Sequence, residues 1–244
     1  MAQETSNSRV RQRRQEIERE LTRSGPDAWK YFSTVIYSHW NKVFGEYLPK
    51  YLSGLALDVG SGECPYRSLA ERYASQLFLM DHNNQPIKIS LRGDIQNIPL
   101  RSGALDSVLC FQVLEHVANP FEGIAEISRV LKPGGILLLS VPHLSRLHEL
   151  PHDYYRYTEY GLQELAKTGG FEVLELEPVG GLVSFLGHQL SMVFLTAFWP
   201  ARFLRPLTLF INKNLFTRFL TFVDKYLGFK SLFPQGYALV ARKL

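Results

Sequence analysis

Between Leu55 and Leu176, short apolar runs alternate with amphipathic stretches. This pattern predicts a repeating strand–helix fold. Leu55–Val59 is an apolar run that ends in a glycine turn, and Leu69–Tyr73 lies on the helix expected after it. Gln76–Met80 predicts a second strand ending at Asp81, and Ile87–Leu91 a weaker third before Gly93-Asp94. Asp106–Phe111 predicts a fourth strand, followed by a helix over Phe121–Leu131. Lys132-Pro133-Gly134-Gly135 then predicts a sharp turn, because proline stops a helix and glycine lets the chain reverse. Ile136–Val141 is apolar throughout, as a strand buried on both faces would be. Thr158 is the expected cap of a helix that runs to Lys167 and ends at Thr168-Gly169-Gly170. Phe171–Leu176 and Tyr237–Ala241 complete seven strands. The implied class is α/β: a seven-stranded, mostly parallel sheet with helices on both faces. Ligands of such sheets sit beyond the carboxyl ends of the strands, at the point where strand order reverses. Residues just after strands are therefore candidates, and Asp106, at the start of one, is not.

The flanks follow other patterns. Met1–Ser8 reads as disordered, and Arg9–Arg23 as a charged helix with Val10, Ile17 and Leu21 on one side. That helix is either solvated or a basic arm for phosphate or an anionic lipid surface. Pro26 opens a second helical stretch carrying Trp29, Tyr31, Phe32, Tyr37, Trp40 and Phe44, expected to end near Gly45 or Pro49. Most of these aromatics recur at helical spacing and serve packing; a few are expected to cover a ligand. The organisation is a helical extension over 1–50, a core over 51–180, an apolar helical insertion over 181–235 and the last core strand over 236–244. No acid or base occurs from Pro178 through Ala201. Length alone permits a membrane span there, but the last strand must return to the same sheet. From Phe203 to Phe229 apolar residues mix with Arg205, Lys213, Arg218 and Lys225. This suits helices lying in a membrane interface, or a subdomain packing on itself or on a second subunit.

Composition narrows the classes. The 244 residues are 45% hydrophobic and only 20% charged, which suggests that some apolar surface has another use. A formal charge of +4 is well short of a dedicated nucleic-acid binder, so a nucleic-acid partner is disfavoured. Cys64 and Cys110 form neither a disulfide framework nor a zinc spacing, and suit a reducing cytosol. Met1–Arg14 is polar, so no signal peptide is expected, and Glu4, Glu16, Glu18 and Glu20 argue against a transit peptide.

The most informative stretch is Ala56-Leu57-Asp58-Val59-Gly60-Ser61-Gly62. A buried strand delivers an acid and then two glycines, which let the backbone turn tightly and approach a ligand. A dinucleotide fingerprint would place a third glycine where Pro65 stands. Asp81 follows about twenty residues later, the spacing of a ribose-binding acid. His82 stands beside it. After the third strand, Asp94 is placed to accept from an adenine amino group and Ile95 to cover the ring.

These segments, with Leu105–Pro120 and Glu126–Pro142, resemble the successive motifs of class I S-adenosylmethionine-dependent methyltransferases, in particular the small-molecule branch that includes quinone-biosynthesis enzymes. The similarity covers roughly Leu55 to Leu176 together with the last strand. It implies a Rossmann-like sheet and S-adenosyl-L-methionine as cofactor. It further implies that Asp58, Gly60, Ser61 and Gly62 meet the methionine end, that Asp81 binds ribose, that Asp94 and Ile95 hold adenine, and that Phe111 and Gln112 lie beside the methionine portion. Glu63-Cys64-Pro65-Tyr66-Arg67 is less usual and loosely resembles a subgroup linked to envelope-glycan synthesis.

The chain lacks the Asn/Asp-Pro-Pro-aromatic motif of many amino-group methyltransferases, having Gln112-Val113-Leu114-Glu115-His116 instead. An oxygen or carbon acceptor is expected, on a small, lipid-linked or glycan molecule. Such an acceptor requires a base. His116 past strand four and His143 past strand five are the candidates, and Tyr155 lies in the donor-rich segment Pro151–Tyr157, either a latch or an acceptor wall. His143, His148 and His152 do not have the spacing of a metal site, and no metal is expected.

Overall fold

The computed structural model describes residues 12, 35–82, 88–227 and 230–244. The expectations for Met1–Ser8, for the charged helix over Arg9–Arg23 apart from Gln12, for Trp29, Tyr31 and Phe32, and for Ile87 lie outside the described residues. Two units are present. One comprises Val43–Val179 and Pro234–Leu244; the other contains Gly180–Phe233 and described residues up to Lys42.

The first unit is built on seven strands: β1 (Leu55–Val59), β2 (Gln76–Asp81), β3 (Leu91–Arg92), β4 (Leu105–Phe111), β5 (Leu131–Pro142), β6 (Phe171–Val179) and β7 (Gly236–Lys243). Their order is β3-β2-β1-β4-β5-β7-β6, so the sequence order reverses between β1 and β4. Strands β1 to β5 pair in parallel, while β7 runs antiparallel to both β5 and β6. The mostly parallel sheet expected from the sequence is present. Its antiparallel edge follows from connectivity: Val179 and Gly236 are register partners, and the Gln235 N–H donates to the Val179 carbonyl at 2.9 Å. Residues 180–235 are thus an enlarged hairpin connection that leaves and re-enters the sheet at its carboxyl edge.

Helix α1 (Val35–Tyr51) runs past Gly45 and ends two residues beyond Pro49, near the second of the expected ends. Leu48 still accepts from the Leu52 N–H at 3.1 Å, so the final turn closes beyond the proline. Helix α2 (Arg67–Ala70) is a single turn, shorter than the expected helix over Leu69–Tyr73, because the chain must enter β2 at Gln76. β3 is only Leu91–Arg92, and Lys88–Ser90 is not strand. Helix α3 (Pro120–Val130) begins with proline at its first turn, where a missing N–H costs nothing. The turn at Lys132–Gly135 appears as a bulge: pairing jumps from Leu105↔Leu131 to Ser107↔Ile136, with Gly134 at φ +77°. Helix α4 (Glu159–Thr168) is capped as expected, the Thr158 hydroxyl accepting from the Gly161 N–H at 3.1 Å. The core lies on both faces of β1, β4 and β5: Leu57, Val59, Val108, Cys110, Leu137 and Leu139 are buried on one face, and Ala56, Leu109 and Leu138 on the other. Asp106 accepts from the Leu55 N–H and pairs with Lys132, a strand-start role consistent with its exclusion from the site.

The second unit carries α5 (Leu182–Phe198), a 3-10 turn over Arg202–Leu204, α6 (Arg205–Ile211), a π-helical stretch over Asn212–Phe219 and α7 (Leu220–Leu227). A buried polar cluster ties its helices: the Ser184 N–H and hydroxyl both donate to Asp224, and His39 Nε2 lies 2.6 Å from the Ser184 hydroxyl. Asp224 is the only acid between Leu182 and Phe233, and it is buried. Phe203, Leu207 and Phe210, then Leu215, Phe219, Phe222 and Tyr226, form exposed apolar rows at helical spacing. No helix among the described residues is long and apolar enough to cross a membrane.

Candidate cofactor and acceptor site

The glycine turn after β1 is shaped by what it must avoid. Gly60 has φ +65°, and a Cβ there would lie 2.6 Å from Val113 Cγ2. Gly62 has φ +50° and open space where a Cβ would point. One glycine is demanded by the packed protein; the other meets no atom among the described residues. The Ser61 N–H donates to the Met80 carbonyl at 3.0 Å, which keeps the turn beside β2, while the Ser61 hydroxyl is buried without a hydrogen-bond partner among the described residues. The Gly62 N–H donates to Asp81 Oδ2 at 3.0 Å. The turn after β1 and the acid after β2 are therefore one hydrogen-bonded unit.

Asp58 is fully buried, and both its oxygens accept from the Tyr66 hydroxyl, at 3.0 and 2.9 Å. Burial pushes its carboxyl up to about 7; Cys64 and Tyr66 work against that as hydrogen-bond donors, and the charge of Asp81 adds to it. The same burial and the adjacent Asp58 raise the Tyr66 hydroxyl well above its ordinary value. Phe44, Tyr66 and Phe111 form a ring cluster at this point, with centroids 4.6 Å apart for Phe44–Phe111 and 5.1 Å for the other two pairs. Asp58 thus lies buried beneath Tyr66. Tyr66 was passed over in the sequence because it falls in the unusual Glu63–Arg67 segment; its acid partner eight residues earlier was the available signal.

Asp81 is buried at the end of β2, with exposed His82 Nδ1 3.5 Å from its Oδ1. Asp94 is exposed, and its Oδ1 accepts from the Gln96 N–H at 2.8 Å in a local turn. Ile95 is buried in the core against Gly123, so most of its surface is committed to packing. Gln112 follows β4 at φ +58°, its N–H donating to the Ser140 carbonyl at 2.9 Å and its side chain to the Ser140 hydroxyl at 3.3 Å. Cys64, Gln112 and Glu149 are the non-glycine residues with positive φ among those described. Gln112 directly follows β4, and Cys64 lies in the turn five residues past β1.

Beyond Gln112 the chain makes a 3-10 turn over Leu114–His116. Glu115 is fully buried, and neither carboxylate oxygen has a hydrogen-bond partner among the described residues. His116 Nδ1 donates to the His152 carbonyl at 2.6 Å, and its ring meets the His148 ring edge-on, centroids 4.7 Å apart. Burial disfavours charge on His148, but Glu115, the Arg146 carbonyl and Asp153 together raise its pKa. Asp153 accepts from the His148 N–H and from two nitrogens of Arg156. Despite the opposing effect of burial, Arg156 and these other partners hold its carboxyl down to about 2. His143 Nδ1 donates to the Tyr157 carbonyl at 2.9 Å, and the Tyr155 hydroxyl to the Ala118 carbonyl at 2.9 Å. The structure does not gather His143, His148 and His152 as a set; it brings His148 to His116 and Glu115 instead. Glu115, missed in the sequence, sits beside the histidine that drew notice.

Residues 57–139 match a protein family described as a methyltransferase domain. A Mycolicibacterium smegmatis protein described as a probable S-adenosylmethionine-dependent methyltransferase is 30% identical over 132 residues, covering 48% of this chain and 51% of its own length. A ubiquinone biosynthesis O-methyltransferase of Dechloromonas aromatica is 32% identical over 111 residues, covering 39% of this chain and 46% of its own. The chain therefore spans about half the length of these curated relatives. Among solved structures, the [4+2]-cyclase SpnF superimposes with a TM-score of 0.56 at 21% identity, over 85% of this chain and 80% of that one. A SAM-dependent methyltransferase from Archaeoglobus fulgidus gives 0.54 at 18% identity, over 83% and 92%. At these identities the superpositions show the fold, and the family match carries the kinship. Sheet order, glycine turn and strand-end acids agree with it: residues 57–139 carry a methyltransferase domain, on a sheet of the class I S-adenosylmethionine-dependent methyltransferase fold.

Proposed function

We propose that the chain moves a methyl group from S-adenosyl-L-methionine to an oxygen or carbon of a small, lipid-linked or glycan acceptor. The observation that carries this is the bond from the Gly62 N–H to Asp81 at the point where strand order reverses. The residues fit the cofactor: open space beside Gly62, an unpartnered buried hydroxyl on Ser61 and an aromatic cluster able to face a sulfonium. In this reading Asp81, with His82 beside it, takes the ribose hydroxyls. Asp94 takes the adenine amino group and Ile95 forms the floor under the ring. Gly60, Ser61 and Gly62 meet the methionine end, flanked by Phe44, Phe111 and Gln112. Asp58 acts through Tyr66, holding that ring in place.

When bound, the cofactor supplies an already activated methyl group. The work of the chain is then to align the acceptor, exclude water and receive a proton. His116 is the base we favour, because its Nδ1 is spent on a carbonyl and Nε2 remains beside Glu115 and His148. His143 and Tyr155 both anchor to backbone carbonyls and hold the wall over residues 143–157 in place. The D. aromatica relative, named for an O-methyltransferase of quinone synthesis, supports an oxygen acceptor of low molecular weight. The exposed apolar rows and the excess of bases over residues 182–233 support peripheral contact with a membrane surface, where a lipid-linked acceptor would be met.

The test is product identification. The full chain is incubated with methyl-labelled cofactor and a panel of phenols, lipid-linked sugars and free sugars, alongside lipid and aqueous extracts. Label in a purified oxygen- or carbon-methylated product is the expected result. Label only in RNA or protein would overturn the acceptor class, and cofactor binding without label in any fraction would favour a non-catalytic binding module.

A further inference from the structure

We propose that Glu115, His116 and His148 form a binding site for a divalent transition-metal ion. One ligand atom from each residue lies within 4.8 Å of the other two. His116 Nε2 and His148 Nε2 are each 3.8 Å from Glu115 Oε1, and Glu149 Oε2 is 3.8 Å from His116 Nε2. Such separations are too long for hydrogen bonds. They approach the spacing, about 3.4 Å, of ligands arranged tetrahedrally on one ion at about 2.1 Å.

Three independent features point the same way. The Glu115 carboxylate is fully buried without a hydrogen bond among the described residues, a costly state for an acceptor unless something positive stands before it. Both histidines spend Nδ1 on a backbone carbonyl, His116 on His152 and His148 on Arg146. That fixes the tautomer with the Nε2 lone pair directed at Glu115, as second-sphere carbonyls do for metal-bound imidazoles. The backbone is held as well, since the Glu115 carbonyl accepts from the N–H groups of Tyr154 and Tyr155, and the His148 N–H donates to Asp153.

Two imidazole nitrogens and one carboxylate oxygen favour zinc, manganese, iron or cobalt over calcium or magnesium, which prefer all-oxygen sites. Three protein ligands leave a coordination position for water or an acceptor oxygen, with Glu149 at the rim able to close it. A bound cation would then acidify that oxygen in place of His116 acting as base. This catalytic use rests on the methyl-transfer reading; the binding of the ion does not.

The experiment uses the full chain stripped with a chelator and titrated calorimetrically with Zn2+, Mn2+ and Mg2+, with metal content measured after dialysis. One equivalent of Zn2+ or Mn2+ is expected, with Mg2+ far weaker. Glu115→Gln and His148→Gln should each weaken binding by at least about tenfold, with circular dichroism spectra matching the parent. Absence of binding to the parent, or unchanged affinity in both variants, overturns the site. Should one variant fail to fold, the other decides; should both fail, cobalt loaded into the parent decides, with visible bands of imidazole-bound cobalt expected and their absence contradictory. S-adenosyl-L-methionine affinity is measured on the same samples. In the parent, absence of metal binding alone rejects this site, whereas absence of cofactor binding alone rejects the methyl-transfer reading.

Discussion

The hydroxyl of Tyr66 spans both carboxylate oxygens of Asp58, at 3.0 and 2.9 Å, in a fully buried pair directly behind the glycine turn. Because burial lifts Asp58 to about 7, the folded state keeps a proton that the unfolded state releases near 4. Stability therefore falls as pH rises from about 4 to about 7 and is level above that. Over three pH units this amounts to about 4 kcal/mol. Asp58→Asn should remove that slope, so that the variant gains on the parent across the window. Urea unfolding at a series of pH values checks it, and parallel profiles would contradict the assignment.

Gly60→Ala and Gly62→Ala should separate packing from ligand contact. Both residues have positive φ, which costs a side chain about 1–2 kcal/mol. At Gly60 the new methyl also overlaps Val113, so Gly60→Ala should be the less stable variant, partly rescued by Val113→Ala. Gly62→Ala meets no atom among the described residues and should instead lose affinity for S-adenosylhomocysteine. Urea midpoints and calorimetry on the same samples distinguish the two.

The sheet was legible because β1, β2 and β5 each carry a short, mostly apolar run that ends at a glycine, an acid or a proline. The Thr158 cap, a local signal that needs no tertiary partner, was equally readable, whereas the turn expected at Lys132–Gly135 is a bulge within β5. β3 was not, because a two-residue edge strand leaves almost no periodicity. In the candidate site, the placement of Asp81 beside the glycine turn was legible by its spacing from the glycines. Tyr66, Glu115 and Asp153 were not, since their roles depend on loops brought together by the fold: Asp153 acquires its meaning only once His148 and Arg156 close on it.

Asp153 titrates in the opposite sense from Asp58. Its folded pKa of about 2 lies below the unfolded value, so its contribution is complete above about 4 and is lost as pH falls through about 2. Asp153→Asn should cost roughly 2–3 kcal/mol at neutral pH and soften acid unfolding. Equal acid midpoints for parent and variant would show that the Arg156 clamp is not formed in solution.

The apolar rows of the second unit make a prediction of their own. Phe203 is 84% and Phe222 61% exposed, and the neighbouring charges are basic. The full chain should co-sediment with vesicles containing anionic lipid, less so with neutral vesicles and less at high salt. Phe203→Ser with Phe222→Ser should lower binding severalfold with no loss of thermal stability. Equal binding by parent and double variant would exclude these rows.

The central claim is that backbone and carboxylate after β1 and β2 hold the cofactor together. Calorimetric titration of the parent and Asp81→Ala with S-adenosyl-L-methionine tests it most directly. The account predicts one site per chain in the parent and an affinity lower by about ten- to a hundredfold in the variant, as expected for lost hydrogen bonds to a charged group, with the fold retained. A parent that does not bind, or a variant that binds as tightly as the parent, would contradict it.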